Sequence, residues 1–165
     1  MNYKTCCFTG NRPQKLSCGF DERHKECRRI KKKLSKSIKS AIKQGFTRFI
    51  SGGALGVDTW AAEEVLALKR KYPLIMLEIA VPCLEQEAKW RDEDKKRYRN
   101  ILEQADEVKV LEQHYTAECM GKRNKYMVNE SSYVIAVWSG KRGGTANTIA
   151  YAKSLERDVE VIEAD

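Results

Sequence analysis

Six short β-like runs alternate with five helical patterns along this chain, and few folds accept that order. The runs cover residues 5–9, 48–51, 74–81, 107–111, 133–138 and 159–162. Those at 74–81 and 133–138, LIMLEIAV and YVIAVW, are almost continuously apolar, as strands covered on both faces tend to be. Between strands, apolar residues recur at helical spacing. Cys27, Ile30, Leu34, Ile38, Ala41 and Ile42 set the first helix, and Ala61, Ala62, Val65, Leu66 and Ala67 the second. Trp90, Tyr98, Ile101, Leu102 and Ala105 mark the third, Met120, Asn124, Met127 and Val128 the fourth, and Ala146, Ile149, Ala150 and Leu155 the fifth. Such alternation predicts an α/β fold: a doubly wound, mainly parallel sheet with helices on both faces. No repeat, low-complexity stretch or linker divides the chain, so residues 1–165 read as one domain of ordinary size.

In open sheets of this kind, ligands bind at the carboxyl ends of the strands, near the point where strand order reverses. A functional loop should therefore follow a strand directly and lead into a helix. Three segments do so. The first is Thr9, Gly10, Asn11, Arg12 and Pro13, where Gly10 permits close backbone approach and Arg12 offers a planar fork for phosphate or carboxylate. An ordinary Gly-Asn turn is the plainer alternative. The second runs Ser51, Gly52, Gly53, Ala54, Leu55, Gly56, Val57, Asp58 and opens the second helix, whose free N–H groups attract a phosphate. Its spacing is neither G-x-G-x-x-G nor a Walker A. Asp58 is either the helix cap or a group that bonds a sugar hydroxyl or acts as a general base. The third, after the fifth strand, runs Ser139, Gly140, Lys141, Arg142, Gly143, Gly144, Thr145, with Thr148 one turn on. Two such loops on neighbouring strand ends predict one cleft for a phosphorylated ligand.

Charge adds a second theme. Residues 1–48 carry 14 basic and 3 acidic side chains, and residues 49–165 carry 17 and 20, so the net +8 is concentrated in the first part. Most of it lies on the first helix, residues 27–44, as Arg28, Arg29, Lys31, Lys32, Lys33, Lys36, Lys39 and Lys43. A solvated face explains such a run, and so does binding to nucleic acid or a protein. No aromatic residue lies between Arg23 and Gln44 to support stacking on single strands. The longest apolar run, 74–84, is too short for a bilayer, and the first ten residues hold no signal-peptide core, so a cytoplasmic protein without membrane contact is expected. The six cysteines then read as reduced thiols. Cys18, His24 and Cys27 lack a fourth ligand at zinc-like spacing, so no metal site is expected.

Several residues invite a role. Trp60 can stack on a base or pack under the sheet. Trp90 and Tyr98 suit packing better, and Trp138 suits either the core or the cleft mouth. His24 and His114 have no nucleophile or carboxylate at a diagnostic position. Arg123 is expected to reach phosphate from the fourth helix, and Tyr115 lies in the loop before it.

At TGNRP (9–13), SGGALGVDTWAAE (51–63) and GKRGGTANTIAYA (140–152) the chain resembles the SLOG superfamily, a Rossmann-like group that includes the Lonely-guy phosphoribohydrolases and the SLOG domain of DNA-processing protein A. The likeness is to the YpsA-like family of short, stand-alone bacterial SLOG proteins. Pro82, Gln86, Trp90 and Tyr98, and Arg123-Asn124 with Met127-Val128, extend it over nearly the whole chain. The resemblance implies a pocket for a nucleotide or nucleotide-derived molecule, such as NAD or an ADP-ribose-like ligand, with no cofactor required. Lonely-guy enzymes carry P-G-G-x-G-T-x-x-E, whereas Arg142 stands here for the Pro and Tyr151 for the Glu, which speaks against their reaction.

The leading expectation is a sensor or regulatory protein that binds this ligand and signals to a protein partner. Thr9, Gly10, Asn11, Arg12, Ser51, Gly52, Gly53, Ala54, Gly56, Asp58, Arg123, Trp138, Ser139, Gly143, Gly144, Thr145 and Thr148 would hold it. One rival is a hydrolase of an N-glycosidic or phosphate bond, with Asp58 or Glu63 as its acid. The other is a DNA-binding accessory protein that uses the basic helix. A homo-oligomer is compatible with all three.

Overall fold

The computed structural model describes residues 4–165. Its strands are β1 (Thr5–Gly10), β2 (Arg48–Ser51), β3 (Met76–Cys83), β4 (Glu107–Glu112), β5 (Tyr133–Trp138) and β6 (Asp158–Glu163). The helices between them are α1 (Lys25–Lys43), α2 (Val57–Lys69), α3 (Asp92–Gln104), α4 (Cys119–Asn129) and α5 (Gly144–Ser154), with a 3-10 turn at Pro13–Lys15. The strands form one parallel sheet in the order β4-β3-β2-β1-β5-β6. Strand order reverses between β1 and β5, where Gly10 pairs with Val137, so the loops after these two strands leave the sheet at one level.

Each face of the sheet has its own core. Phe8, Phe49, Leu77, Ile79 and Ile135 pack on one side with Ile30, Leu34 and Ile38 of α1, Ala61 and Val65 of α2, and Ile101 of α3. The smaller core joins Cys7, Ile50, Ala80 and Val134 to Met127 and Val128 of α4 and Ala152 of α5. Burying such a side chain contributes roughly 1.5–3 kcal/mol, and β1 and β5 contribute to both cores, which fixes their register. At the amino end of β3, buried Glu78 accepts from Arg48 Nη2 at 2.5 Å and from the Tyr126 hydroxyl at 2.7 Å. This charged bond fastens α4 to the sheet.

The third strand starts two residues later than its apolar run suggests. Leu74 is 84% exposed, in a turn closed by the Ile75 N–H on the Tyr72 carbonyl. Trp90 precedes α3 instead of lying within it, and meets Tyr98 edge-on with ring centroids 5.2 Å apart. No described helix is long and apolar enough to cross a membrane. The six cysteines are free thiols, and no group of three or more potential ligands among the described residues could hold a metal ion.

Candidate functional site

The loop after β1 is tied to the loop after β5. Asn11 donates its backbone N–H to the Val137 carbonyl at 3.2 Å, and its side-chain oxygen accepts the Ser139 N–H at 2.9 Å. Pro13 then starts the 3-10 turn, with fixed φ and no N–H to satisfy. That turn folds the chain back, closed by the Lys15 N–H on the Arg12 carbonyl. As a result Lys15 Nζ reaches across to the third loop, 2.6 Å from where a β-carbon on Gly143 would stand.

The loop after β2 satisfies its own polar groups. The Ser51 hydroxyl donates to the Asp58 carbonyl at 2.8 Å and accepts the Gly53 N–H at 3.2 Å. Asp58 Oδ2 accepts the Ala54 N–H at 3.3 Å, and the Thr59 hydroxyl donates to the Ala54 carbonyl at 2.8 Å. Gly56, at φ +87°, is the helix cap, so Asp58 sits in the first turn rather than at the cap itself. The Gly52 carbonyl accepts from Arg123 Nη1 at 2.6 Å and from Gln86 Nε2 at 3.2 Å. Side chains thus hold two of the loop's amides, those of Gly53 and Ala54, while the Gly56 cap makes no side-chain bond to the first turn of α2.

The loop after β5 also ends in a glycine cap. The Trp138 indole N–H holds the Lys141 carbonyl at 2.8 Å, which shapes the turn. Gly143 caps α5 with no side-chain bond to the first amides, which leaves the helix start open. Thr145 is buried, whereas the Thr148 hydroxyl turns back to the Gly144 carbonyl at 2.9 Å.

These loops enclose a cleft of ≈ 170 Å³ at the β1/β5 reversal. Of the residues expected at the ligand, Thr9, Gly10, Asn11, Arg12, Asp58, Arg123, Gly144 and Thr145 line it together. Phe8, Lys15 and Asn124 complete the lining. Ser51, Gly52, Gly53, Ala54, Gly56, Trp138, Ser139, Gly143 and Thr148 do not line it; they shape the loops behind. Glu63 lies elsewhere, bonded to Arg97 at 2.5 and 2.8 Å, and Arg97 also binds Glu22. His24 caps α1, accepting the Glu26 N–H, and His114 and Tyr115 are exposed outside the cleft. Trp60 is buried, with Lys31 Nζ over its ring.

Lys15 was hidden in the sequence because its contact depends on a fold-back to residues more than a hundred positions away. Pro13, a strong start for a turn, was the available signal. Asn124, next to Arg123, accepts from Arg123 Nε at 2.9 Å and so orients it.

The cleft's electrostatics are lopsided. Arg123 is 2% exposed, and its Nη1 also reaches the Ala80 carbonyl at 3.3 Å. Arg12, Lys15 and Arg123 form no ion pair with any carboxylate among the described residues. Asp58 is the cleft's only carboxylate. Burial pushes its carboxyl up from the usual range, against the pull of Arg123, Arg12 and the Ala54 N–H. Burial pulls the Arg123 guanidinium down, opposed by Asp58. Arginine nonetheless stays charged at ordinary pH, so the cleft carries three cations and one buried acid.

Comparison with known proteins places this geometry. The SPbeta prophage-derived protein YoqJ of Bacillus subtilis is 37% identical over 138 residues, covering 76% of this chain and 81% of that protein. The UPF0398 protein of Halalkalibacterium halodurans is 33% identical over 144 residues, 86% of this chain and 76% of its own length. Among solved structures, DNA processing protein A from Streptococcus pneumoniae superposes with a TM-score of 0.67 at 18% identity over 99% of this chain, which spans about half (51%) of that protein. The Helicobacter pylori protein, described for its single-stranded DNA binding mode, gives 0.66 at 18% identity over 98% of this chain and 68% of its own. At that identity the likeness is one of fold. The profile of the YspA SLOG family (YpsA) matches residues 6–162, and the chain belongs to that family.

Proposed function

We propose that the cleft binds the phosphate-bearing part of a nucleotide or nucleotide-derived molecule, and that its occupancy is read by a partner protein. One observation carries this reading: Arg12, Lys15 and Arg123 line one cleft with the start of α5, and no carboxylate among the described residues forms an ion pair with any of them. Unpaired cations beside a helix N-terminus favour an anion strongly, since each charge-assisted hydrogen bond contributes about 1.5–3 kcal/mol. The size of the cleft supports a sugar phosphate held inside and a base or second nucleotide left outside. Pockets that enclose whole drug-sized ligands run to about 300–1,000 Å³. Asp58 then faces the sugar as a hydroxyl partner.

Mass spectrometry of small molecules released from the purified protein tests this directly. A nucleotide-derived species, with a thermal shift on adding it back, is the expected result. Repeated blanks, together with no shift from ADP-ribose, NAD or nucleoside monophosphates, would sink the reading.

The raised, buried Asp58 carboxyl beside two arginines favours a second reading, a hydrolase of an N-glycosidic bond with Asp58 as general acid. Product formed from nucleoside monophosphates and lost in Asp58→Asn would support it. Intact monophosphate after prolonged incubation would leave binding alone.

A further inference from the structure

The basic helix has a geometry that its composition does not convey. At 100° per residue, Lys25, Arg28, Lys32, Lys36, Lys39 and Lys43 fall within an arc of about 80°. The core positions Cys27, Ile30, Leu34, Ile38 and Ala41 lie on the opposite side and are buried. All six cations are exposed, and none forms an ion pair among the described residues. The two helix cations that are paired, Arg29 with Glu26 and Lys31 with Glu22, lie off this stripe. Successive charges are three or four residues apart, about 4.5–6 Å along the axis, over a straight run of about 27 Å.

We propose that this stripe is a docking rail for the sugar-phosphate backbone of double-stranded DNA, bound without regard to sequence and separately from the cleft. The choice of occupant follows from what surrounds the charges. None of the exposed large hydrophobic residues lies on α1, so neither an amphipathic partner helix nor an acyl layer would gain apolar contact there. No aromatic side chain lies on the helix, so a single strand would find no stacking platform. A regular line of cations with neither feature suits a rigid, regularly charged polyanion. The sequence outside α1 carries 22 basic and 22 acidic side chains, so the chain's net positive charge resides on this helix and α1 turns toward the duplex.

Six phosphate contacts predict a slope of log affinity against log salt of about −5, which is a loss of about a thousandfold between 50 and 200 mM. The test is fluorescence anisotropy of the full chain with a labelled mixed-sequence duplex across that salt range. Lys32→Gln with Lys36→Gln should flatten the slope by about 2, because each lysine accounts for about one unit. Lys32→Glu with Lys36→Glu should remove binding at 100 mM. Both positions are exposed, and melting and circular dichroism like the wild type will show the fold intact. Arg12→Ala with Lys15→Ala should bind the duplex as the parent does, so failure of the cleft reading and failure of this one give different results. A slope near zero, an unchanged slope in the glutamine variant, or single-strand preference abolished by Arg12→Ala would each overturn the proposal.

Discussion

Two glycines that look interchangeable in the sequence should behave oppositely when replaced by alanine. A β-carbon on Gly52 would stand 2.3 Å from Arg123 Nη1, 2.5 Å from its Cζ and 2.7 Å from Asp58 Oδ2. No rotation of a flexible side-chain end relieves this, because Arg123 is buried and bonded to two carbonyls. Gly52→Ala must therefore displace the guanidinium and weaken charge-assisted bonds at 2.6 and 3.3 Å. Overpacking costs about 1–3 kcal/mol, and a lost bond from a charged donor a similar amount. A net loss of about 3 kcal/mol in a chain this long lowers Tm by about 6–12 °C. Around Gly144, nothing lies within 4 Å of the corresponding position, and its φ is ordinary. Gly144→Ala should leave Tm within about 2 °C, yet on the proposed reading weaken binding of inorganic phosphate and adenosine monophosphate, because it adds a methyl group to the lining of the cleft. Scanning calorimetry and ligand thermal-shift titration read the two effects. The reasoning is refuted if both variants lose equal stability, or if Gly144→Ala binds phosphate as the wild type does.

Lys15→Ala should lower phosphate affinity about tenfold or more with little change in Tm, since the ammonium has no acceptor among the described residues to lose; titration calorimetry measures both the affinity and any compensating enthalpy. Glu78→Ala removes the buried partner of Arg48 and Tyr126 and should cost at least about 3 kcal/mol, read as a lower urea midpoint. Glu22 is held down to about 2 by Arg97, with Lys31 assisting. A depressed folded value means that its stabilisation is complete above the ordinary glutamate range, near 4.3, and is lost as pH falls toward 2. Glu22→Gln should flatten that acid limb of the stability profile, modestly because the group is partly solvated; an unchanged limb in urea melts at stepped pH contradicts it.

The sheet was legible because its two most apolar runs, in β3 and β5, are interior strands covered on both faces, a pattern that few other environments produce. Strand ends were less so. Leu74 continues the apolar run of β3 but lies in an exposed turn, because hydrophobicity alone does not show where pairing begins. Trp90 keeps helical spacing with Tyr98, but it meets that ring from the preceding turn. Within the site, Arg12, Asp58, Arg123 and Thr145 could be found by asking which polar residues follow strands or open helices. The bond directions could not. Nothing in SGGALGVD says that Ser51 and Asp58 take up the loop's own amides, since that depends on rotamers fixed by packing. Lys15 was out of reach because a tertiary fold-back sets its partner.

The same comparison explains why two similar loops would take different parts of one ligand. Counted from their glycine caps, Val57 and Asp58 open α2, while Gly144 and Thr145 open α5. Val57 fills the space over Gly10, where a β-carbon on the glycine would lie 2.5 Å away. Asp58 places a carboxyl against the amino end of α2, so that helix end already faces an acidic group and repels another anion whenever Asp58 is ionised. At α5 neither obstacle exists: the first position has no side chain, and the second is Thr145, which lines the cleft. On the reading proposed above, a phosphate would sit at the start of α5, beside Lys15, Arg12 and Arg123. Its carrier would present hydrogen-bond donors to an ionised Asp58, which sugar hydroxyls do and a second phosphate does not. On that reading the cleft would discriminate by polarity as well as by charge, and a sugar phosphate meets both conditions.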